Sequence, residues 1–143
     1  MKNTTLLLGF LWLVTITDSQ SFAQDYKIIV NAANPTSSLT KQQVRDMFLR
    51  KVTTWEHGPK ILPADLDIAV KVREKFSKEI HGKSAAAVES YWQQKIFSGR
   101  GTPPPQKTSE KEALDYVERN AGAIGYVSVT AAVEKVKVLE ITD

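Results

Sequence analysis

The sequence predicts an α/β layered domain built on a mixed, partly parallel sheet flanked by helices. Three observations lead there. Apolar, β-rich runs at 26–32, 123–127 and 136–141 are bounded by turn residues. Between them lie segments whose apolar residues recur at helical spacing. The two kinds alternate along the chain, and alternation stacks helices against a sheet with some parallel strands.

The elements follow in order. Lys2 supplies a positive start, Leu6 to Ile16 an apolar run, and Ser21-Phe22-Ala23 a small-x-small cleavage site, so residues 1–23 read as a secretory signal peptide and Gln24 as the mature start. An eleven-residue apolar run is too short for a membrane-spanning helix, which needs about 20 residues. The mature domain is then 24–143. Tyr26 to Ala32 forms the first strand and Asn34-Pro35 turns the chain. Thr40 and Gln43 are spaced as a capping box, and Val44, Met47 and Phe48 give the following helix one apolar face. A loop over 51–58 leads to a short strand at 60–64, whose proline marks a sheet edge or a strand end.

Asp67 is placed to cap the next helix, whose stripe is Val72, Phe76 and Ile80 and whose end is His81-Gly82. Ser84 starts a further helix with Val88, Tyr91, Trp92 and Ile96 inward. Ser109 and Glu112 are spaced as a second capping box, with Ala113, Leu114 and Val117 inward. Gly122 fits a left-handed position after that helix. Gly125 falls inside an apolar strand, where a glycine marks close approach of a neighbouring backbone or helix.

Composition narrows the function. The chain has no cysteine, which excludes disulfides, thiolate metal sites and a thiol nucleophile, and export is compatible with that. The formal charge is +3 and the basic residues are scattered, so nothing points to nucleic acid. No GxSxG elbow, P-loop, dinucleotide fingerprint or HExxH is present, and no catalytic set assembles; no cofactor is implied. The expectation is a non-enzyme.

Parallel strands place ligands beyond their C-terminal ends, so the loops at 31–38, 64–72 and 128–130 are the ones to inspect. Asn31 and Asn34 either hold a ligand at the sheet edge or make a local turn. Ser37 and Ser38 precede a helix and offer hydroxyls to an oxyanion, or simply lead into the Thr40 cap. Arg73 is either an anion clamp or an ion-pair partner of Asp65, Asp67 or Glu74. Asp65 and Asp67 alone make a poor metal site. Ser98-Gly99-Arg100-Gly101 before three prolines ends a helix or cradles an anion.

Several segments, in order, carry a resemblance: SSLTKQQVRDMFLRKVTTW, GPKILP, VREKF, YWQQKIFSGRGTPPP and NAGAIGYVS. Together they resemble the periplasmic phosphate-binding proteins of ABC transporters, and more closely their short single-domain relatives. The resemblance covers Tyr26 to Ser128. It implies a type II periplasmic-binding-protein-like fold, here one lobe or one compact domain assembled from parts of both. It also implies a periplasmic location, a small phosphate-like anion as ligand, and a membrane transporter or sensor as partner.

In that family a Ser-Gly-Thr run opens a helix and binds phosphate through backbone amides and hydroxyls. Here Val70-Lys71-Val72 stands at that place, without either hydroxyl and without the glycine. Lys71 keeps only a point charge. Two readings follow: an exported solute-binding-type module, or a periplasmic accessory protein that has lost its ligand.

Overall fold

A computed structural model describes residues 25–143; the signal peptide expected over 1–23 lies outside the described residues. Tyr26–Asn31 forms β1, and Ser38–Thr40 forms β2, which runs straight into α1 (Lys41–Phe48). The Thr40 hydroxyl accepts the Gln43 N–H and the Gln43 side chain accepts the Thr40 N–H, so the expected capping box is complete. Leu62–Pro63 is β3 and Asp65–Leu66 is β4. Helix α2 (Lys71–Phe76) continues as a π-helical turn, Ser77–His81, and ends at Gly82 with φ +65°. Then come α3 (Ala85–Phe97), β5 (Gln106–Lys107), α4 (Glu110–Arg119), β6 (Ala123–Ser128) and β7 (Val136–Thr142).

The main sheet has the order β2-β7-β1-β6-β3, and β4 pairs with β5 in a separate two-stranded ribbon. β1 is antiparallel to both neighbours, while β2 is parallel to β7 and β3 to β6. Pro63 sits in the edge strand, where a missing N–H costs no ladder bond. Alternation along β1 feeds two cores. Ile28 and Val30 join Phe48, Phe76, Ile80 and Tyr126 on the side covered by α1 and α2. Ile29 joins Val117, Ala123 and Val127 on the side covered by α4. Phe76 stacks on Tyr126 with ring centroids 3.7 Å apart, which fixes α2 against the centre of the sheet.

Four local expectations need correction. Gly122 does not adopt a positive φ. Its requirement is space: a Cβ there would stand 1.9 Å from the Lys60 carbonyl oxygen. Gly125 does meet the expectation of close packing, since a Cβ would come within 3.3 Å of Val117 Cγ2 on α4. Asp67 accepts the Ala69 N–H and makes an Asx turn, while the N-cap of α2 is Val70, with no side-chain bond. Ser109 caps α4, but Glu112 reaches Thr108 instead of closing a box on Ser109. On α3, Val88 and Trp92 are buried, Tyr91 is half-buried and Ile96 is 54% exposed, because no sheet face covers the far end of that helix.

The direction of β1 has a larger consequence. β2, β3, β6 and β7 share one direction and β1 runs against them. The loop after β1, residues 31–38, therefore lies at the opposite end of the sheet from the loops after β3 and β6. The three loops singled out from sequence do not surround one crevice.

Candidate functional site

The region beyond the C-terminal ends of β3 and β6, where the fold class places a ligand crevice, is built around the buried Arg73. Ala64 donates its N–H to the Ile124 carbonyl at 2.8 Å, the last bond to β6 before β4 begins at Asp65 and pairs with β5. Arg73 is 1% exposed. Its guanidinium lies 3.3 Å from Asp65 Oδ1 and 3.3 Å from Glu89 Oε1, donates to the Leu66 carbonyl, and directs Nε at Ser77 Oγ. Tyr126 donates its hydroxyl to Asp65, as does the Leu66 N–H at 2.9 Å. Gln106 donates to Glu89 on the far side. One arginine thus ties β4, α2, α3, β5 and β6 into a single network.

The electrostatics follow from burial. Loss of water pushes the Asp65 carboxyl up, and the Arg73 guanidinium, the Tyr126 hydroxyl and the Leu66 N–H only partly offset it. Burial, and then the Asp65 charge, push the Tyr126 phenol well above its ordinary value, so it stays a hydrogen-bond donor. Glu89 is the outermost member, with its side chain 31% exposed. Each face of the Arg73 fork is occupied by a protein oxygen. An anion arriving here would have to displace the oxygens already paired with Arg73, and parting it from Asp65 would leave a buried carboxylate unpaired, which costs several kcal/mol.

Lys71, the first residue of α2, is exposed and makes no ion pair among the described residues. The two residues expected to act together as an anion site are thereby separated: Arg73 faces the core and Lys71 faces solvent. The other four candidates lie elsewhere. Asn31 donates from Nδ2 to the Val117 and Glu118 carbonyls at the C-terminal end of α4 and accepts the Ala33 N–H. Asn34 is buried, accepts the Thr36 N–H, and leaves its Nδ2 without a partner. Ser37 and Ser38 are exposed and lead into edge strand β2, where the Ser37 carbonyl accepts the Glu140 N–H. Sequence reasoning reached Asp65 as one partner of Arg73. It missed Glu89 and Tyr126, which lie 16 and 53 residues away from it and carry no local signal.

One further contact links the first and the last of the segments that carry the family resemblance. Trp55 Nε1 donates to the Gly122 carbonyl at 2.9 Å, both groups buried. The loop after α1 is thus fastened to the start of β6.

This architecture is that of a periplasmic-binding-protein lobe. Residues 23–142 match the family described as the PBP superfamily domain, and the chain belongs to that family. No curated protein matches the sequence. Among solved structures, an ABC-type phosphate transport receptor from Vibrio cholerae is similar with a TM-score of 0.66 and 20% identity, over 82% of this chain and 46% of that one. A protein from Clostridium perfringens assigned as a phosphate ABC transporter substrate-binding protein, with bound phosphate, gives 0.64 and 20%, over 82% and 44%. One from Planctomyces limnophilus assigned to phosphate binding gives 0.63 and 18%, over 83% and 42%. The chain spans less than half the length of each of these structures. At such identities the likeness is one of fold.

Proposed function

We propose that the chain is an exported, non-catalytic protein of the solute-binding class that works in the periplasm as an accessory to a membrane transporter or sensor, and not as a scavenger of free phosphate. The likeness to phosphate receptors supports the class. The observation that carries the rest is the commitment of Arg73: the buried cation nearest the family's phosphate-binding helix start is already neutralised by Asp65 and Glu89. Val70 and Lys71 add no hydroxyl, and Asn31, Asn34, Ser37 and Ser38 lie outside this crevice.

The test is thermal melting of the mature protein, residues 24–143, with orthophosphate or sulfate raised in steps. A ligand at 100 times its dissociation constant stabilises a protein by about 2.7 kcal/mol, which is a shift of several degrees. The expected result is no shift. A saturable rise that disappears in Lys71→Gln would establish anion capture at this crevice and overturn the accessory reading.

A further inference from the structure

Two adjoining hollows are lined by residues of α1, α3 and the loops and turns beside them, and Arg73 lines neither. The first, about 240 Å³, is lined by Arg45, Lys51, His81 and Lys83 with Leu49, Val88 and Tyr91 as its apolar wall. The second, about 230 Å³, shares Leu49, Lys51 and Tyr91 with it and adds Arg50, Lys95 and Arg100 beside Trp92. Six permanent cations line the pair, and among the described residues no carboxylate does. The whole chain carries 19 basic and 16 acidic residues, so outside this groove the acidic ones outnumber the basic. None of the six cations forms an ion pair among the described residues, although eight ion pairs form elsewhere.

Helix ends account for part of this. Arg45 donates from Nε to the Ile80 carbonyl at 2.6 Å, and Lys95 lies in the last turn of α3, where a cation suits the helix dipole. That explanation leaves Lys51, Lys83, Arg50 and Arg100, which come from loops or turns. It also leaves the missing carboxylates, since like charges crowded together repel and a structural cluster would recruit counter-charges. His81 supplies a further mark of an incomplete site: its Nδ1 is buried without a hydrogen-bond partner. A concave wall of aliphatic and aromatic side chains strengthens the field of the cations above it.

We infer that this groove binds a small polyanion, a molecule bearing two or more phosphate-like groups that occupy the two hollows at once with Lys51 between them. A single orthophosphate would fill one hollow and leave the other unneutralised. This inference stands apart from the crevice reading, since it uses none of the same residues.

The experiment is calorimetric titration of the mature protein with tripolyphosphate at about 0.15 M salt, where long-range attraction is largely screened. Three variants are compared: Lys51→Gln with Lys83→Gln, Lys95→Gln with Arg100→Gln, and Lys71→Gln, which lines neither hollow. Each has only exposed or half-buried side chains replaced, and melting confirms that it folds. Saturable binding is expected for the unaltered protein and for Lys71→Gln, with affinity at least about tenfold weaker in each double variant, a change of about 1.4 kcal/mol. Absence of tripolyphosphate binding would overturn the inference. So would equal affinity in all variants, or binding of phosphatidylglycerol vesicles or single-stranded DNA by a protein that ignores tripolyphosphate. Orthophosphate binding lost in Lys71→Gln bears only on the crevice, so the two proposals fail separately.

Discussion

Arg73 and Arg45 sit on α2 and α1 and receive opposite treatment. Arg73 is sealed in the core, with Asp65, Glu89, Ser77 and the Leu66 carbonyl taking up its donors. Arg45 is half-buried at a hollow where Lys51, Lys83 and His81 gather and no acid answers them. One region spends its cation on holding five elements together. The other gathers cations for which no acid among the described residues supplies a counter-charge. Charge in a pocket-forming fold therefore reads as structure or as recognition according to whether the protein itself supplies the counter-charge.

The largest effect should come from breaking the sealed region. Arg73→Ala strands Asp65 and the Leu66 carbonyl in the core, and the expected loss is about 3–5 kcal/mol in urea unfolding. Pairing Arg73→Met with Asp65→Leu removes both charges and should restore most of it. A single variant that unfolds within 1 kcal/mol or so of the parent, well below the usual cost of an unpaired buried charge, would show that the network is not structural.

Next comes pH. Burial, and then the positive charges of Arg73, Arg45 and Lys83, hold the His81 imidazole down at about 4 instead of 6.5. Lys51 lines the same hollow and adds to the positive side. Between those two values the unfolded chain binds a proton that the folded protein refuses. This contribution to stability is therefore complete above pH 6.5 and is lost as pH falls toward 4, by about 3 kcal/mol. The readout is the difference in unfolding free energy between the parent and His81→Gln. That difference should shift by this amount across the window; parallel curves would mean that neither burial nor the neighbouring cations hold the His81 imidazole down.

The smallest effect is expected in the open region itself. Lys51→Gln with Lys83→Gln removes two exposed charges that have no ion-pair partner among the described residues, so stability should stay within about 0.5 kcal/mol of the parent or rise slightly as repulsion is relieved. A loss of 2 kcal/mol or more, far beyond what exposed charges contribute, would place these lysines among the structural groups.

Local chemistry was legible in the sequence. The Thr40–Gln43 box, the Val72, Phe76 and Ile80 stripe, the Ser84 cap and the strands at β1, β6 and β7 each declare themselves within a few residues. The resemblance added the fold on top of that. What escaped depends on pairing between distant segments. The direction of β1 separates the 31–38 loop from the 64–72 loop, and nothing within 26–31 encodes it. Gly122 was read as a helix-ending conformation, whereas its constraint is the Lys60 carbonyl on another segment. The groove draws on α1, the loop after it, the turn before α3, α3 and the loop that follows. Scattered basic residues in the sequence become one surface only when those pieces meet.

The most direct measurement is a pair of calorimetric titrations of residues 24–143, one with orthophosphate and one with tripolyphosphate, under the same salt. The account predicts no binding heat with orthophosphate and a saturable isotherm with tripolyphosphate. Saturable, tight orthophosphate binding together with no response to tripolyphosphate would contradict it.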